Sequence, residues 1–341
     1  MERTWKRKLL RFLTVTGIVL VSVSAFLYLA MQGYSVGWTG FGKPAEAGTA
    51  VQGKTLWDWM DLLLVPLFLA GGALILRRSE RDTAHQRFDA QAALQHELAT
   101  DRQQEQALQS YFDQMADLLQ KEKLSITSSE ELLNVARVRT LTVLRGLDAK
   151  RKGSVLLFLR DSKLIDREAV IDLSGADLRG ACLAFAKLKG VNLSEADLSG
   201  ADLGGANLSK SYMAGTDLRG ANLKGANLGG AALFESRLNG ADLTRADLSE
   251  ANLTLADLRG CHLNEADLRG ADLSGVNLNV GDLVGADLRK ANLGGAKLLG
   301  ADLSEADLSQ ADLSGTEITG TELGKAKSLD GTTMPDGSKH D

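Results

Sequence analysis

From Leu173 to Leu323 every fifth residue is apolar, 31 positions in all, and only Met213 and Ile318 among them are not Leu. No ordinary element has that period. A helix at 3.6 residues per turn scatters such leucines around all its sides, and a strand alternates every two residues. The chain must therefore turn once per repeat. Two residues before each apolar position sits a mostly small residue, usually Ala, with Ile171, Val191 and Val276 the larger exceptions. Between the two lies usually Asp or Asn. The last slot is often Gly but varies, as at Glu305. If each unit forms one side of a square, four units close one coil. The Leu and the small residue then point to the axis and the other three positions face out. Coils stack at the strand spacing of ~4.8 Å with backbone hydrogen bonds between them. Each touches only its neighbours, so stability accumulates nearly additively along the stack.

Units such as Ala176-Asp177-Leu178-Arg179-Gly180 and Ala271-Asp272-Leu273-Ser274-Gly275 resemble the pentapeptide-repeat family. The resemblance covers residues 171–327 and implies an all-β, right-handed quadrilateral β-helix. The stretch 164–173 and the region before it are similar to membrane-anchored bacterial members. The tail 329–337 resembles the family's usual ending and is expected to close the last coil. A family of this kind guides the fold far more than the function.

The chain ahead of the repeats has another character. Residues 12–31 carry no charge and follow a basic cluster at Arg3, Lys6, Arg7, Lys8 and Arg11. As a helix this run spans roughly 30 Å, the thickness of a bilayer core. A second apolar run, 57–76, has Trp57 and Trp59 at its start, Pro66 inside, and Arg77, Arg78 and Arg81 after it. Tryptophans and basic flanks of this kind mark membrane interfaces, and the distribution of Arg and Lys places both termini in the cytoplasm. The expected organisation is a two-helix membrane anchor over 1–76, a cytoplasmic helical region over 77–165, and the β-helix with its cap over 166–341. The fold class is thus an N-terminal α part followed by an all-β solenoid, in a multi-pass protein of the inner membrane. In the middle region Leu108, Phe112, Met115 and Leu119 form a stripe expected to pack within the chain. A second helix starts near Thr127 or Ser128 and ends at Gly146 or in Lys150-Arg151-Lys152-Gly153. A third runs over 155–164.

Assigning repeats to four sides shows what a partner meets. One outward column stacks Asp247, Asp267, Asp287 and Asp307; another holds Asp242, His262, Asp282, Asp302 and Glu322; a third has Asp177, Asp197, Asp217 and Asp257 beside Arg179, Arg219 and Arg259. Like charges stacked so closely repel unless cations or basic neighbours compensate. Asp and Asn also suit turns by bonding to nearby backbone. The fourth column breaks the pattern: Tyr212 and Ala232 replace Asp or Asn, and Phe234 and Leu255 fill other outward slots on that side. This apolar patch is the candidate partner site, since clustered exposed apolar residues mark contacts. Cys182 points outward and Cys261 inward.

Nothing in the chain resembles a catalytic set, a phosphate-cradling loop or paired metal ligands. No cofactor is expected. The reading is a membrane-tethered, non-enzymatic interaction or scaffolding module, with the lipid bilayer and another protein as partners and self-association left open. The alternatives are an accessory subunit of a membrane transporter or channel, or a nucleic-acid mimic regulating a topoisomerase. The mimic is the weaker alternative, because the acidic excess over 171–327 is modest, 22 against 15, and nucleic acid itself is not expected as a partner.

Overall fold

The computed structural model describes Tyr28 and residues 56–125, 127–165 and 170–340. The first expected membrane run, 12–31, lies outside the described residues apart from Tyr28, which is helical. The chain divides into two compact units, Met1–His96 and Glu97–Asp341. Helix α1 spans Leu56–Gln120, with Pro66 inside it. The second expected run, 57–76, is therefore helical. Among the described residues, however, no helix is long and apolar enough to cross a membrane.

Within the second unit, the end of α1 packs against α2 (Glu130–Gly146) and α3 (Ala149–Asp161). The stripe on α1 faces inward as expected: Leu108, Tyr111, Met115 and Leu118 are buried, with Phe112 and Leu119 packed against the same core. Tyr111, Phe112 and Phe158 form an aromatic cluster with centroids 4.9 to 6.3 Å apart. The buried Tyr111 hydroxyl meets Thr140 at 2.9 Å, and burial pushes its phenol up to about 12. Arg151 ties α3 back to α1 by pairing with Asp101 at 2.6 Å and Glu105 at 3.1 Å, and it also pairs with Asp148.

Two boundaries differ from expectation. Helix α2 is capped by Ser129, whose side chain accepts from the Leu132 amide, rather than by Thr127 or Ser128. Helix α3 starts earlier than 155, because Asp148 accepts from the Arg151 amide and caps it. Helix α2 ends at Gly146, the first of the two ends expected, and the Lys150-Arg151-Lys152-Gly153 stretch lies inside α3.

After residue 170 the chain forms the coiled β architecture. Residue i bridges residue i+20 in parallel, from Asp177↔Asp197 through Lys297↔Glu317. Each side of a coil contributes one bridging residue followed by a turn, so the sides are shorter than ordinary strands. The amides of the buried leucines donate up the stack, for example Leu178 to the Asp197 carbonyl at 2.8 Å. The next coil donates back, as from Asp197 to the Ala176 carbonyl at 2.9 Å. The leucines and the small residues line the axis and are buried from Ile171 to Thr316, while Ile318 at the last turn is only partly buried. Where the small residue carries a hydroxyl, that group bonds to backbone: Ser211 donates to the Leu208 carbonyl at 2.6 Å and Thr216 to the Leu193 carbonyl at 2.9 Å. The last slot of each repeat has positive φ, such as 70° at Gly175, which explains its preference for Gly.

We number coils in twenties from residue 171, and faces 1 to 4 by the columns beginning at Leu173, Leu178, Leu183 and Leu188. Both ends of the stack are covered. The first coil has no coil beneath it, so α3 supplies partners: the Cys182 amide donates to the Ala149 carbonyl at 2.9 Å. Lys152, itself buried, donates to Asp177 at 2.8 Å and to the Arg179 carbonyl at 3.3 Å. From α2, Arg137 donates to the Ser174 carbonyl at 2.9 Å. At the other end the coil register is interrupted by the short helix α4 (Gly320–Leu323). Glu322 therefore does not continue its acidic column. Its carboxylate instead accepts from the Gly300 and Thr319 amides, each at 2.7 Å. The register resumes shifted by one, with Asp307↔Ser328 and Asp312↔Thr333. The tail then folds back, Thr333 pairing antiparallel with Lys339, and closes the last coil as expected.

The contact between α3 and the first coil is close at Gly153, where a Cβ would lie 2.3 Å from the Cys182 carbonyl oxygen. In an open helix Gly→Ala gains up to ~1 kcal/mol of propensity. Here backbone meets backbone and neither side can swing away. Gly153→Ala is expected to lower stability by about 1–3 kcal/mol, read as a lower urea midpoint. A gain would show that α3 does not seat on Cys182.

Candidate interaction surface

The acidic columns are where the sequence places them, but they are not bare carboxylate ladders. Most aspartates first cap their own turn. Asp247 accepts from the Ser249 amide at 3.0 Å and from its hydroxyl at 2.6 Å, and Asp302 does the same with Ser304. Where the repeat reads Asp-Leu-Arg, the arginine folds back onto the aspartate. Arg269 and Arg289 pair with Asp267 and Asp287, and each also reaches up the stack, to Asp287 at 3.6 Å and Asp307 at 3.8 Å. The Arg269 and Arg289 side chains hold the Asp267 and Asp287 carboxyls below the ordinary range. Arg219 and Arg259 do this for Asp217 and Asp257.

On face 3, Lys224 lies 3.6 Å from Asp242, His262 is 3.8 Å from Asp282, and Lys325 is 3.6 Å from Asp302. Asn264 donates to Asp282 at 2.7 Å. The other Asp282 oxygen is buried with no hydrogen-bond partner. In other columns an Asn relieves the stacking by donating to the Asp one coil below, as Asn192 does to Asp172 at 2.7 Å.

Tyr212, Ala232, Phe234 and Leu255 all lie on face 1, in coils 3, 4 and 5. Tyr212 bridges Ala232 directly. Tyr212, Phe234 and Leu255 are 60%, 43% and 59% exposed. They form a diagonal because each sits one coil on and further along the repeat. Three more exposed apolar residues escaped the sequence reading: Phe185, Val280 and Leu299. Phe185, Leu255 and Val280 occupy left-handed corners, with φ of 59°, 59° and 53°. Each leans over the corner glycine of the next coil. A Cβ at Gly205, Gly275 or Gly300 would come within 2.6, 2.8 or 3.2 Å of them. The signal was a large residue in the fifth slot with Gly twenty positions later. A small notch of about 70 Å³ beside Phe185 is lined by Leu157, Arg160 and Cys182, among others. Among the described residues no group of acids, histidines and cysteines could hold a metal.

Two measurements follow from this geometry. Cys182 is exposed, whereas Cys261 is buried and burial pushes its thiol up to about 12. A thiol reagent on the folded chain should modify Cys182 at once and Cys261 only on unfolding. Rapid modification of both would refute the inward placement. The Arg179 and Lys152 side chains hold the Asp177 carboxyl well below the usual range. A lowered folded pKa adds stability that is present above the unfolded value of ~3.9 and is lost as pH falls through and below it. Asp177→Asn should therefore show a smaller loss of urea stability than the parent chain between pH 5 and pH 2.5. Equal losses would remove the capping role.

The pentapeptide-repeats family profile matches this chain in eight copies, among them residues 171–209, 201–240, 241–279, 251–289 and 282–320. Among solved structures, the chain is similar to HetL, a pentapeptide repeat protein involved in heterocyst differentiation regulation from the cyanobacterium Nostoc sp. strain PCC 7120. The identity is 36%, over 50% of this chain and 90% of that one, with a TM-score of 0.26. It is similar to the pentapeptide repeat protein Rfr23 from the cyanobacterium Cyanothece 51142 at 28% identity, over 35% and 90%, with a TM-score of 0.22. QnrB1, a plasmid-mediated fluoroquinolone resistance protein, matches at 18% identity over 49% and 82%, with a TM-score of 0.35. No curated protein matches the chain.

Proposed function

The chain belongs to the pentapeptide-repeat family, and from that premise we propose that it is a non-enzymatic, membrane-tethered interaction module. It presents the β-helix to a protein partner at the cytoplasmic membrane face. The tether rests on the uncharged run 12–31 behind its basic cluster. A span of that length and flank orients with its basic side in the cytoplasm.

The observation that carries the binding role is the apolar diagonal on face 1. Tyr212 and Phe234 stand on a side of the coil where Asp, Asn, Ser and Thr are the rule. Exposed aromatics supply large contact area at low entropic cost, so they dominate protein interfaces. The acidic columns support a phosphate-mimicking role less well, because arginines and lysines within the same faces neutralise much of their charge.

The full chain should sediment with membranes after a high-salt wash, and deletion of 12–31 should weaken that attachment. From detergent-solubilised membranes, the tagged parent chain should capture a defined partner that Tyr212→Ala with Phe234→Ala loses by at least tenfold, given ~1.4 kcal/mol per factor of ten. Recovery of the chain in the soluble fraction would end the tether. An unchanged partner profile would end the assignment of the patch. Capture of a topoisomerase, or of a transporter or channel subunit, would select between the remaining alternatives.

A further inference from the structure

We propose that face 4 of coils 1 to 4 is a self-complementary surface that pairs antiparallel with the same face of a second copy of this chain. Among the described residues other faces also carry charges without an ion pair, such as Glu195, Glu235 and Glu305, but on this face the two signs are separated in an ordered way. Coil 1 presents Lys187 and Lys189, and coil 2 presents Lys210. Among the described residues none of the three makes an ion pair with a carboxylate. Coil 4 presents Asp247 and Glu250, which likewise make no ion pair among the described residues; the Asp247 carboxylate is hydrogen-bonded to Ser249 and lies in the field of Arg269 one coil on. Between these ends the face is flat and uncharged apart from Lys210 at its corner, with Asn207, Ser209, Asn227, Gly229 and Gly230. Beyond coil 4 the arginine ladder of Asp267, Arg269, Asp287, Arg289 and Asp307 largely closes on itself.

Symmetry decides how two such faces can meet. A twofold axis along the stack sets coil 1 against coil 1, and the lysines repel. A twofold axis across the stack, lying between coils 2 and 3, sets coil 1 against coil 4 and coil 2 against coil 3. It also keeps each outward column opposite itself. Lys187 of one copy then faces Asp247 of the other, and Lys189 comes within reach of Glu250. Asn207 faces Asn227 and Lys210 faces Gly230. The two charged ends lie three coils apart, ~14 Å at the strand spacing. Because the contact is isologous, every pair occurs twice. The surface is narrow and its pairs are exposed, so the association must be weak and sensitive to salt.

The test uses charge exchange on the purified full chain in detergent. The exchanged residues have precedents at equivalent positions: Lys187 and Asp247 share one column, and Lys210 and Lys290 hold the left-handed corner that Glu250 also occupies. The parent should self-associate in sedimentation at low salt and dissociate at about 0.5 M, where screening is nearly complete over contact distances. Lys187→Glu with Lys189→Glu, and Asp247→Lys with Glu250→Lys, should each weaken self-association about tenfold or more, four exposed pairs being removed. An equal mixture of the two variants should restore it, because each then meets its opposite. Circular dichroism checks that both variants fold. A monomeric parent overturns the proposal. So does an oligomer indifferent to salt and to both variants, or a mixture that fails to reassociate.

Discussion

The axis of the coil admits one large and one small side chain per side, and the rest of the structure depends on that limit. Four leucines of a turn fill the centre, each worth ~1.5–3 kcal/mol when buried. The residue two before them must then be small, and Ala meets the need with no polar atom to satisfy. Where Ser211, Thr216, Ser236 or Thr316 takes the place, its hydroxyl donates to a backbone carbonyl. Once the axis is closed at this width, the sides of successive coils lie over one another and their amides and carbonyls pair. The outward slots are left free of any core duty, so whatever distinguishes this chain from another of the same fold is written there.

The same geometry makes the ends the weak points. A stack of coils can always accept another, and an uncovered end leaves backbone groups unpaired. This chain covers the first coil with a helix and the last with its own tail. Lys152 shows how demanding the first seal is. A lysine is buried because its ammonium can satisfy both a carboxylate and a carbonyl at the edge of coil 1. Gly153 beside it lets the α3 backbone approach the Cys182 carbonyl.

Those two residues also mark where sequence reasoning went astray. In Lys150-Arg151-Lys152-Gly153, a basic run ending in glycine carries the local marks of a helix terminus, yet it opens α3 and seats it. Local composition records neither the close approach nor the buried ion pair, since both depend on a coil that lies about thirty residues further on. The coil itself was legible because its period is strict: the inward Cys261, the outward Cys182 and the stacked columns all follow from counting in fives and twenties. The count failed at α4, where a helical turn adds one residue and takes Glu322 out of its column. The arginine partners of the aspartates were visible as neighbours, but their reach to the next coil needed the three-dimensional spacing.

Exposure alone does not separate the apolar side chains that a partner must explain from those the fold explains. Phe185, Leu255 and Val280 carry a left-handed backbone, which costs roughly 1–2 kcal/mol for a non-glycine residue. Each nonetheless covers the bare corner of the next coil, where glycine leaves room for it. Part of their presence is thus internal packing, and Leu255 stands only at the edge of the proposed binding patch. Tyr212 stands on the flat of face 1 and Phe234 opens the turn beside it, both with ordinary backbone. No glycine gap beneath them is filled, and no ring partner is within reach among the described residues. Their exposed area lowers the stability of the isolated chain without return from the coil. What the coil does not reward is more readily accounted for by contact with another molecule, and the proposed site is therefore centred on these two rings.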